Sequence, residues 1–252
     1  MSESHNQRID VPELSAEEIQ ARVLHRDGLM LVIDKPAGLP VHRGPKGGAN
    51  LETSFDALRF GLPRPPVLAH RLDRDTSGCL VLGRHRKATA SLGLLFKHGK
   101  ISKTYWAVVE GGPAEDEGTI DMPLGRLNAE RGWWQKPDPE GQPAVTNWKV
   151  LGRGDGLAWL AMEPVTGRTH QLRVHASAMG WPIVGDNIYG TQASLRRLRN
   201  ESFISRFGEP TLHLHARGIV IPISKNKEPV SVTAPAPAHL HERLRACGWS
   251  GA

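Results

Sequence analysis

The hydrophobic residues of this chain fall into short runs separated by turn-forming residues. Apolar runs of about four to eight residues, rich in β-branched and aromatic side chains and bounded by Gly or Pro, are typical of β-strands. The clearest runs are LMLVID (29–34), CLVLGR (79–84), TYWAVVEG (104–111), VTNWKVL (145–151) and LAWLAMEPV (157–165). Near the C-terminus, GIVIPI and VSVTAP, separated by Lys225-Asn226-Lys227, predict a hairpin.

Helical patterns are fewer than strand patterns. A capping-box motif at Ser15–Glu18, followed by apolar residues at helical spacing, predicts a helix to about His25. Residues 87–99 predict a helix that Gly99 ends. Further helices are predicted at 51–61, 170–180 and 239–249. Residues 112–144, rich in Gly, Pro and charge, predict hairpins and a long loop.

Many strands, few helices between them and several hairpin signals favour an α+β fold with a mixed, mostly antiparallel sheet. We expect residues 1–26 to form an N-terminal extension with a short helix after a disordered first dozen residues. Residues 27–252 are expected to form a single domain, since no internal repeat or linker divides them.

Composition narrows the class of protein. The chain has 252 residues, of which 39% are apolar and 23% charged, as in soluble globular proteins. Cys79 and Cys247 lie far apart, so no disulfide framework is indicated and a reducing compartment is expected. The sequence shows neither a secretory signal nor a run long enough to span a membrane, which predicts a cytoplasmic protein. The net charge of +6 permits a nucleic-acid partner without requiring one.

Residues 70–78, HRLDRDTSG, carry the most unusual chemistry. A calcium loop is one interpretation, but the twelfth position from Asp73 is Arg84, where such a loop needs an acid. A zinc site at His213-Leu-His215 lacks a second ligand pair. Two interpretations of HRLDRDTSG therefore remain, a solvated turn or a site where one carboxylate reacts among cations.

The neighbours of Asp73 favour the reactive site. The apolar run CLVLG follows the loop directly, and charges beside a core are costly unless they are paired. Between Arg71 and Arg74, Asp73 is expected to stay ionised, because nearby cations favour the charged form of a carboxylate. An anionic carboxylate in a cationic cleft suits an enzyme acting on a nucleic acid.

A second cluster of basic residues lies in TGRTHQLRVH (166–175). Thr166 or Thr169 is expected to cap a helix here. Arg168 at its start favours phosphate binding. Arg173 could reach a carboxylate on a neighbouring strand. The alternative is an ordinary basic helix face.

Together these motifs resemble the RluA-type pseudouridine synthases. HRLDRDTSG is similar to the family signature. DKPAGLPVH (34–42), KTYWAVVEG (103–111) and TGRTHQLRVHASAMGWPIVGDNIYG (166–190) resemble further segments in the family's order, and the resemblance covers roughly residues 28–222. It implies a pseudouridine-synthase fold with a central active-site cleft, which isomerises uridine in structured RNA without cofactor or metal.

The resemblance also implies roles for particular residues. Asp73 takes the place of the catalytic carboxylate, and Arg173 that of the arginine that pairs with it. Tyr105 takes the place of the tyrosine that stacks on the target base. Arg71 matches an arginine that helps fill the gap left by the flipped nucleotide, and Leu172 an aliphatic residue of the pocket. Further RNA-binding candidates are His70, Arg74, Arg168 and His170.

Substrate and partners stay open at this point. Many relatives carry an S4-type RNA-binding domain, but the roughly 25 residues before the catalytic core are too few for one. RNA affinity is therefore expected from the catalytic domain, with Arg131, Trp133 and Trp134 as further candidates. We expect a monomer acting on a stem-loop of ribosomal or transfer RNA. The alternative function is an inactive RNA-binding or RNA-chaperone protein on the same scaffold.

Overall fold

The computed structural model describes residues 13–43, 48–128, 133–192, 212–224, 226 and 228–251. The expectations made for the first dozen residues, for Arg131 and for Lys225 and Lys227 lie outside the described residues.

The strands form one large sheet and a separate small hairpin. Their bounds are β1 Val23–Arg26, β2 Met30–Lys35, β3 Val67–Leu68, β4 Ser77–Gly83, β5 Ser102–Glu110, β6 Glu117–Asp121, β7 Leu124–Arg126, β8 Gln135–Pro137, β9 Val145–Gly154, β10 Leu157–Pro164, β11 Leu214–Ile221 and β12 Val230–Thr233. The large sheet has the order β1-β2-β4-β11-β5-β10-β9-β6, with β3 on β4 and β12 on β11, while β7 pairs with β8.

The sheet is mixed and mostly antiparallel, as predicted. Strands β4 and β11 run parallel, and the other described pairs are antiparallel. All of β4 is buried, which explains its continuous apolar run, whereas burial in β9, next to the edge strand β6, largely alternates. The predicted C-terminal hairpin is confirmed by the pairing of β11 with β12.

Helices flank the sheet. They are α1 Ala16–Gln20, a 3₁₀ helix at Leu51–Leu58, α2 Arg86–Lys97, α3 Gln171–Ala178 and α4 Ala238–Ala246. The capping box before α1 is present, but the prediction of a helix to about His25 was wrong. Val23–Arg26 instead forms β1 on β2, because sheet pairing satisfies its backbone groups and suits a β-branched residue.

Two apolar clusters make up most of the core. One lies around β2, β4, the 3₁₀ helix and α2, and includes Leu72. The other lies around β5, β10 and α3, and includes Leu172. Tyr105 of β5 packs against both clusters, opposite Ala216 of β11 and Met162 of β10. The middle of the sheet therefore places Tyr105 between the two halves of the core.

The end of HRLDRDTSG joins β4 closely to β11. Gly78 has φ +102°, and a Cβ there would overlap the backbone carbonyl of Ala216, so glycine is required. Beside it, the Ser77 hydroxyl lies 2.9 Å from His215 Nδ1. His215 Nε2 lies 3.4 Å from the Ala234 carbonyl oxygen. His215 is thus a core histidine whose two ring nitrogens both have partners.

Candidate active site

A cleft of about 720 Å³ opens between the two apolar clusters. It is lined by the loop before β4, the C-terminal end of α2, part of β5, the segment from Pro164 to Arg173, and Leu214. The volume lies within the range of about 300–1,000 Å³ that is common for small-molecule sites. The sequence-predicted residues His70, Arg71, Asp73, Tyr105, Arg168, His170, Leu172 and Arg173 all line this cleft.

A buried lysine holds the loop that carries Asp73. Lys35, at the end of β2, donates hydrogen bonds from Nζ to the carbonyl oxygens of Pro36, Arg74 and Thr76 at 2.8, 2.8 and 2.9 Å. Burial lowers the pKa of Lys35 to about 7, while the nearby carboxylates of Asp75 and Asp73 act in the opposite direction. The contacts fix the backbone on the C-terminal side of Asp73.

The charged side chains of the loop that carries Asp73 lie on two sides, one facing solvent and the other facing the cleft. Arg74 binds Asp75 through two hydrogen bonds, at 2.9 and 3.1 Å, on the exposed side. Neither residue lines the cleft, so Arg74 does not join the RNA-binding candidates that the structure brings together. Arg71 is exposed at the cleft and makes no ion pair within the described part of the chain.

Arg173 reaches Asp73, but its closest partner is a different carboxylate. Arg173 Nη1 lies 3.6 Å from Asp73 Oδ2, whereas Nε and Nη2 each donate to Asp186 at 2.7 Å. Asp186 also accepts the backbone N–H groups of Ile188 and Tyr189, both at 2.9 Å. The bidentate pair therefore orients the guanidinium, and its remaining nitrogen faces Asp73.

In the pair of Arg173 and Asp186, burial and ion pairing shift each pKa in opposite directions. Burial by itself would raise the pKa of Asp186, but the hydrogen bonds and charge of Arg173 hold it below the usual range. Burial likewise disfavours the charged form of Arg173, yet the hydrogen bond and charge of Asp186 raise its pKa. Both side chains stay ionised, so Asp73 faces a fixed positive charge.

The start of α3 differs from the prediction. Neither Thr166 nor Thr169 caps the helix; the N-cap is His170, which has φ +53° and no side-chain capping bond. The Thr166 hydroxyl instead donates to the Gln171 side-chain oxygen, at 2.7 Å. The left-handed turn puts His170 Nε2 3.7 Å from Asp73 Oδ2. Burial lowers the pKa of His170, and the Asp73 carboxylate acts in the opposite direction.

Tyr105 and Leu172 form the apolar part of the cleft, and both line it. Burial raises the pKa of the Tyr105 phenol, and the charge of Asp73 raises it further, so the hydroxyl stays protonated. This combination offers a flat ring and an apolar surface beside a carboxylate.

His70 is a structural residue that also borders the cleft. Its Nε2 accepts a hydrogen bond from the backbone N–H of Val81, at 3.0 Å, and its ring stacks on Phe96 with centroids 4.2 Å apart. Burial lowers the pKa of His70 to about 3. A neutral ring with its acceptor already bonded offers no positive charge to a phosphate, so the geometry does not support an electrostatic role for His70 in RNA binding.

Exposed residues surround the mouth of the cleft. Arg168 is exposed, although its Nε donates to the Pro143 carbonyl oxygen at 2.9 Å. Trp133, just before β8, is 59% exposed, and its ring meets the edge of His170 with centroids 5.5 Å apart. Trp133 is therefore an exposed aromatic residue beside the cleft and not a core residue.

Three residues near Asp73 had no role assigned from the sequence, namely Lys35, Asp186 and Tyr189. Lys35 ends an apolar strand run, where a lysine is unusual and signals a specific partner. Asp186 and Tyr189 lie in GDNIYG, a turn-rich segment in which no spacing rule indicates a link to Arg173. The partners of all three could be found only from the folded chain.

No group of three or more His, Cys, Asp or Glu side chains suited to a metal ion occurs among the residues that the structure describes. Across the same residues, no helix is long and apolar enough to cross a membrane.

Comparison with known proteins decides the family. A family model described as RNA pseudouridylate synthase matches residues 29–178, more than half of the chain. The chain belongs to this family. The matched range contains Asp73, Tyr105, His170 and Arg173, and the RluA-type resemblance of the motifs is confirmed.

Relatives and solved structures agree. The chain is 43% identical over 218 residues to an uncharacterized RNA pseudouridine synthase of Zymomonas mobilis, covering 86% of this chain and 94% of the relative. It is 33% identical over 230 residues to ribosomal large subunit pseudouridine synthase C of Vibrio cholerae, covering 90% and 69%. The structure of human RNA pseudouridylate synthase domain containing 4 matches with a TM-score of 0.73 and 29% identity, covering 92% and 94%.

These findings make the protein an RNA pseudouridine synthase, an isomerase that modifies RNA. The pseudouridine-synthase fold expected from the sequence is confirmed. The inactive RNA-binding alternative gains no support from the relatives.

Proposed function

We propose that Asp73 is the catalytic carboxylate of this synthase. One observation carries the proposal: Asp73 is the single Asp or Glu among the described residues that line the cleft. The same lining contributes the cationic side chains Arg71, Lys97, Lys103, Arg168 and Arg173. A lone anion surrounded by cations fits a reaction that needs one ionised carboxylate and a substrate that carries phosphates.

The chemistry requires no second acid. The bond from N1 of uracil to the ribose C1′ breaks, the base turns, and a bond from C5 to C1′ forms. N1 then gains a proton, and C5 loses one. Two first steps fit a carboxylate in this position, attack on C1′ or removal of the C2′ proton. Every atom of the product base comes from the substrate apart from exchanged protons, so the proposed isomerisation is intramolecular and transfers no group to or from a cofactor.

The remaining residues of the cleft receive supporting roles. The target uridine must leave its stack to reach Asp73, which calls for a surface on which the flipped base can lie. Tyr105 supplies that surface, and Leu172 completes the apolar side. Arg71, exposed at the mouth, is proposed to occupy the gap left in the RNA. Arg168, exposed at the mouth, is proposed to contact the phosphates on either side.

We propose ribosomal RNA as the substrate class, with the protein acting as a monomer in the cytoplasm. The support is the name of the relative from Vibrio cholerae, which specifies the large ribosomal subunit. Pseudouridines mapped by chemical labelling in total RNA, from cells with and without the gene, test the assignment. Loss of a ribosomal pseudouridine is expected. Loss confined to transfer RNA would contradict it.

The activity itself is tested by tritium release. RNA transcribed with uridine tritiated at C5 is incubated with the purified protein in EDTA and monovalent salt. Release of tritium to water is expected, because C5 loses its hydrogen when it bonds to C1′. Protein that binds the RNA but releases no tritium from any natural RNA would favour the inactive scaffold.

A further inference from the structure

A chain of polar contacts connects the β7–β8 hairpin to the proposed catalytic carboxylate. The backbone N–H of Gln135 in β8 donates to the Tyr189 hydroxyl oxygen, at 2.9 Å. That hydroxyl lies 2.8 Å from His170 Nδ1. The opposite nitrogen of the ring, Nε2, lies 3.7 Å from Asp73 Oδ2. His170 thus stands between a tyrosine and the carboxylate, with one ring nitrogen facing each.

The contacts assign the proton of the neutral ring. The Tyr189 oxygen accepts the Gln135 N–H, which leaves its own hydrogen available for donation to His170 Nδ1, and in that arrangement Nδ1 is the acceptor. A neutral imidazole with an accepting Nδ1 carries its hydrogen on Nε2. Nε2 faces Asp73, whose ionised carboxylate only accepts hydrogen bonds. The contacts at both ends of the ring are therefore satisfied by the same tautomer.

The surroundings favour this neutral, fixed ring. His170 is buried, and burial lowers its pKa, although Asp73 acts in the opposite direction. Trp133 and Tyr189 each pack edge-on against the ring, with centroids 5.5 Å away. Tyr189 is itself held by its backbone N–H, which donates to Asp186, the partner of Arg173.

The contacts made by His170 and Arg173 end on the same oxygen of Asp73. His170 Nε2 lies 3.7 Å and Arg173 Nη1 3.6 Å from Oδ2. Both distances exceed a direct hydrogen bond, as is common in active sites before the substrate binds. Two donors on Oδ2 would fix the plane of the carboxylate and turn Oδ1 toward the substrate.

We infer that His170 is a positioning residue that holds Asp73 Oδ2 through Nε2–H, and that Tyr189 fixes the tautomer that makes this possible. The inference rests on the proposed catalytic function of Asp73 and adds the contact that orients its carboxylate. Oδ1 is then the oxygen that meets the ribose. Positioning of this kind acts on the chemical step and leaves RNA binding unaffected.

Two substitutions of His170 separate this role from a structural one. A glutamine side chain can place an amide N–H near the position of Nε2, whereas asparagine reaches only to the position of Nδ1. We expect His170→Gln to keep kcat for tritium release within about threefold, and His170→Asn to lower it about 10- to 100-fold, with KM for RNA unchanged in both. A purely structural role predicts the reverse order, because φ +53° suits asparagine better than glutamine.

Equal kcat values for the two variants, or a more active asparagine variant, would overturn the inference. If neither variant melts like the wild type, Tyr189→Phe provides the independent test. It should lower kcat about 10-fold at unchanged KM, because Nδ1 loses its hydrogen-bond donor. A wild-type kcat for Tyr189→Phe would contradict the role of Tyr189. Wild-type protein that releases no tritium would instead contradict the proposed function.

A spectroscopic measurement checks the tautomer directly. In protein labelled with ¹⁵N-histidine, the resonances of His170 are assigned by their absence from the His170→Gln spectrum. At neutral pH, Nδ1 should show the shift of an unprotonated nitrogen and Nε2 that of a protonated one. The opposite tautomer, or an imidazolium, would contradict the assignment.

Discussion

Asp73 and Asp75 stand two positions apart in one loop, yet the fold gives them different environments. Asp75 is paired with Arg74 on the exposed side, whereas Asp73 faces the cleft and Arg173. The sequence could select Asp73 over Asp75 only through the family resemblance, which puts the catalytic carboxylate at that position. It could not find Asp186, because the carboxylate nearest to Arg173 is decided by how the chain turns after α3.

Replacement of Asp186 by asparagine tests how strongly the buried pair supports the site. Arg173 would keep its charge in a buried position without its bidentate carboxylate. We expect the free energy of unfolding to fall by about 3–5 kcal/mol, measured by urea denaturation. The matched control is Asp116→Asn, which breaks an exposed pair with Arg153 and should cost less than about 1 kcal/mol. Similar losses in the two variants would contradict the structural role of Asp186.

At the scale of elements, short-range hydrophobic patterns predicted most strands. They failed where contacts with residues distant in sequence determine the local structure. Buried strands such as β4 and β10 are recognised in the sequence by their apolar runs. Residues 23–26 fit a helical spacing equally well, and only the presence of β2 beside them makes them a strand. The predicted cap of α3 was wrong for a similar reason: Thr166 hydrogen-bonds the Gln171 side chain instead, and His170 takes a left-handed conformation with its ring against Tyr189.

The hairpin formed by β7 and β8 brings Trp133 to the mouth of the cleft. An exposed tryptophan beside a cleft for RNA is expected to stack on an unpaired base, a contact worth about 1–3 kcal/mol. Trp133→Ala should therefore raise KM or the Kd for RNA about 5- to 100-fold, measured by filter binding and tritium release. The control is Leu151→Ala, an exposed apolar residue of β9 that does not line the cleft. Unchanged affinity in Trp133→Ala would rule out the stacking role.

At the scale of the whole molecule, the net charge of +6 indicates a binding surface only once the fold shows where the basic residues lie. The sequence distributes basic residues along the chain, but the sheet and α3 bring several of them around one carboxylate. The family resemblance allowed the fold class to be predicted in full. The cleft's shape follows from two core clusters meeting at Tyr105, which no local pattern reveals.

Two histidines with lowered pKa values, the partly buried His70 and the buried His215, predict how the stability of the molecule depends on pH. Burial lowers the pKa of His70 to about 3 and of His215 to about 4, below the ordinary value of 6.5. The unfolded chain therefore binds more protons below pH 6.5, so stability is complete above that pH and is lost as the pH falls toward 4. The expected loss between about pH 7 and pH 5 is on the order of 2 kcal/mol per histidine, measured by urea denaturation.

A pair of variants checks the origin of this loss. His215→Asn should show a shallower fall in the free energy of unfolding from pH 7 to pH 5 than the wild type, whatever its stability at neutral pH. Leu151→Ala, which changes an exposed residue that does not titrate, should keep the wild-type slope. An unchanged slope in His215→Asn would contradict the assignment.

The most direct test concerns the two aspartates of HRLDRDTSG. Tritium release from RNA labelled at uridine C5, together with RNA affinity, is measured for Asp73→Asn and Asp75→Asn. Asp73→Asn is predicted to abolish release while still binding RNA, and Asp75→Asn to keep most of the wild-type rate. Wild-type release by Asp73→Asn, or loss of release in Asp75→Asn alone, would contradict the assignment of Asp73 as the catalytic carboxylate.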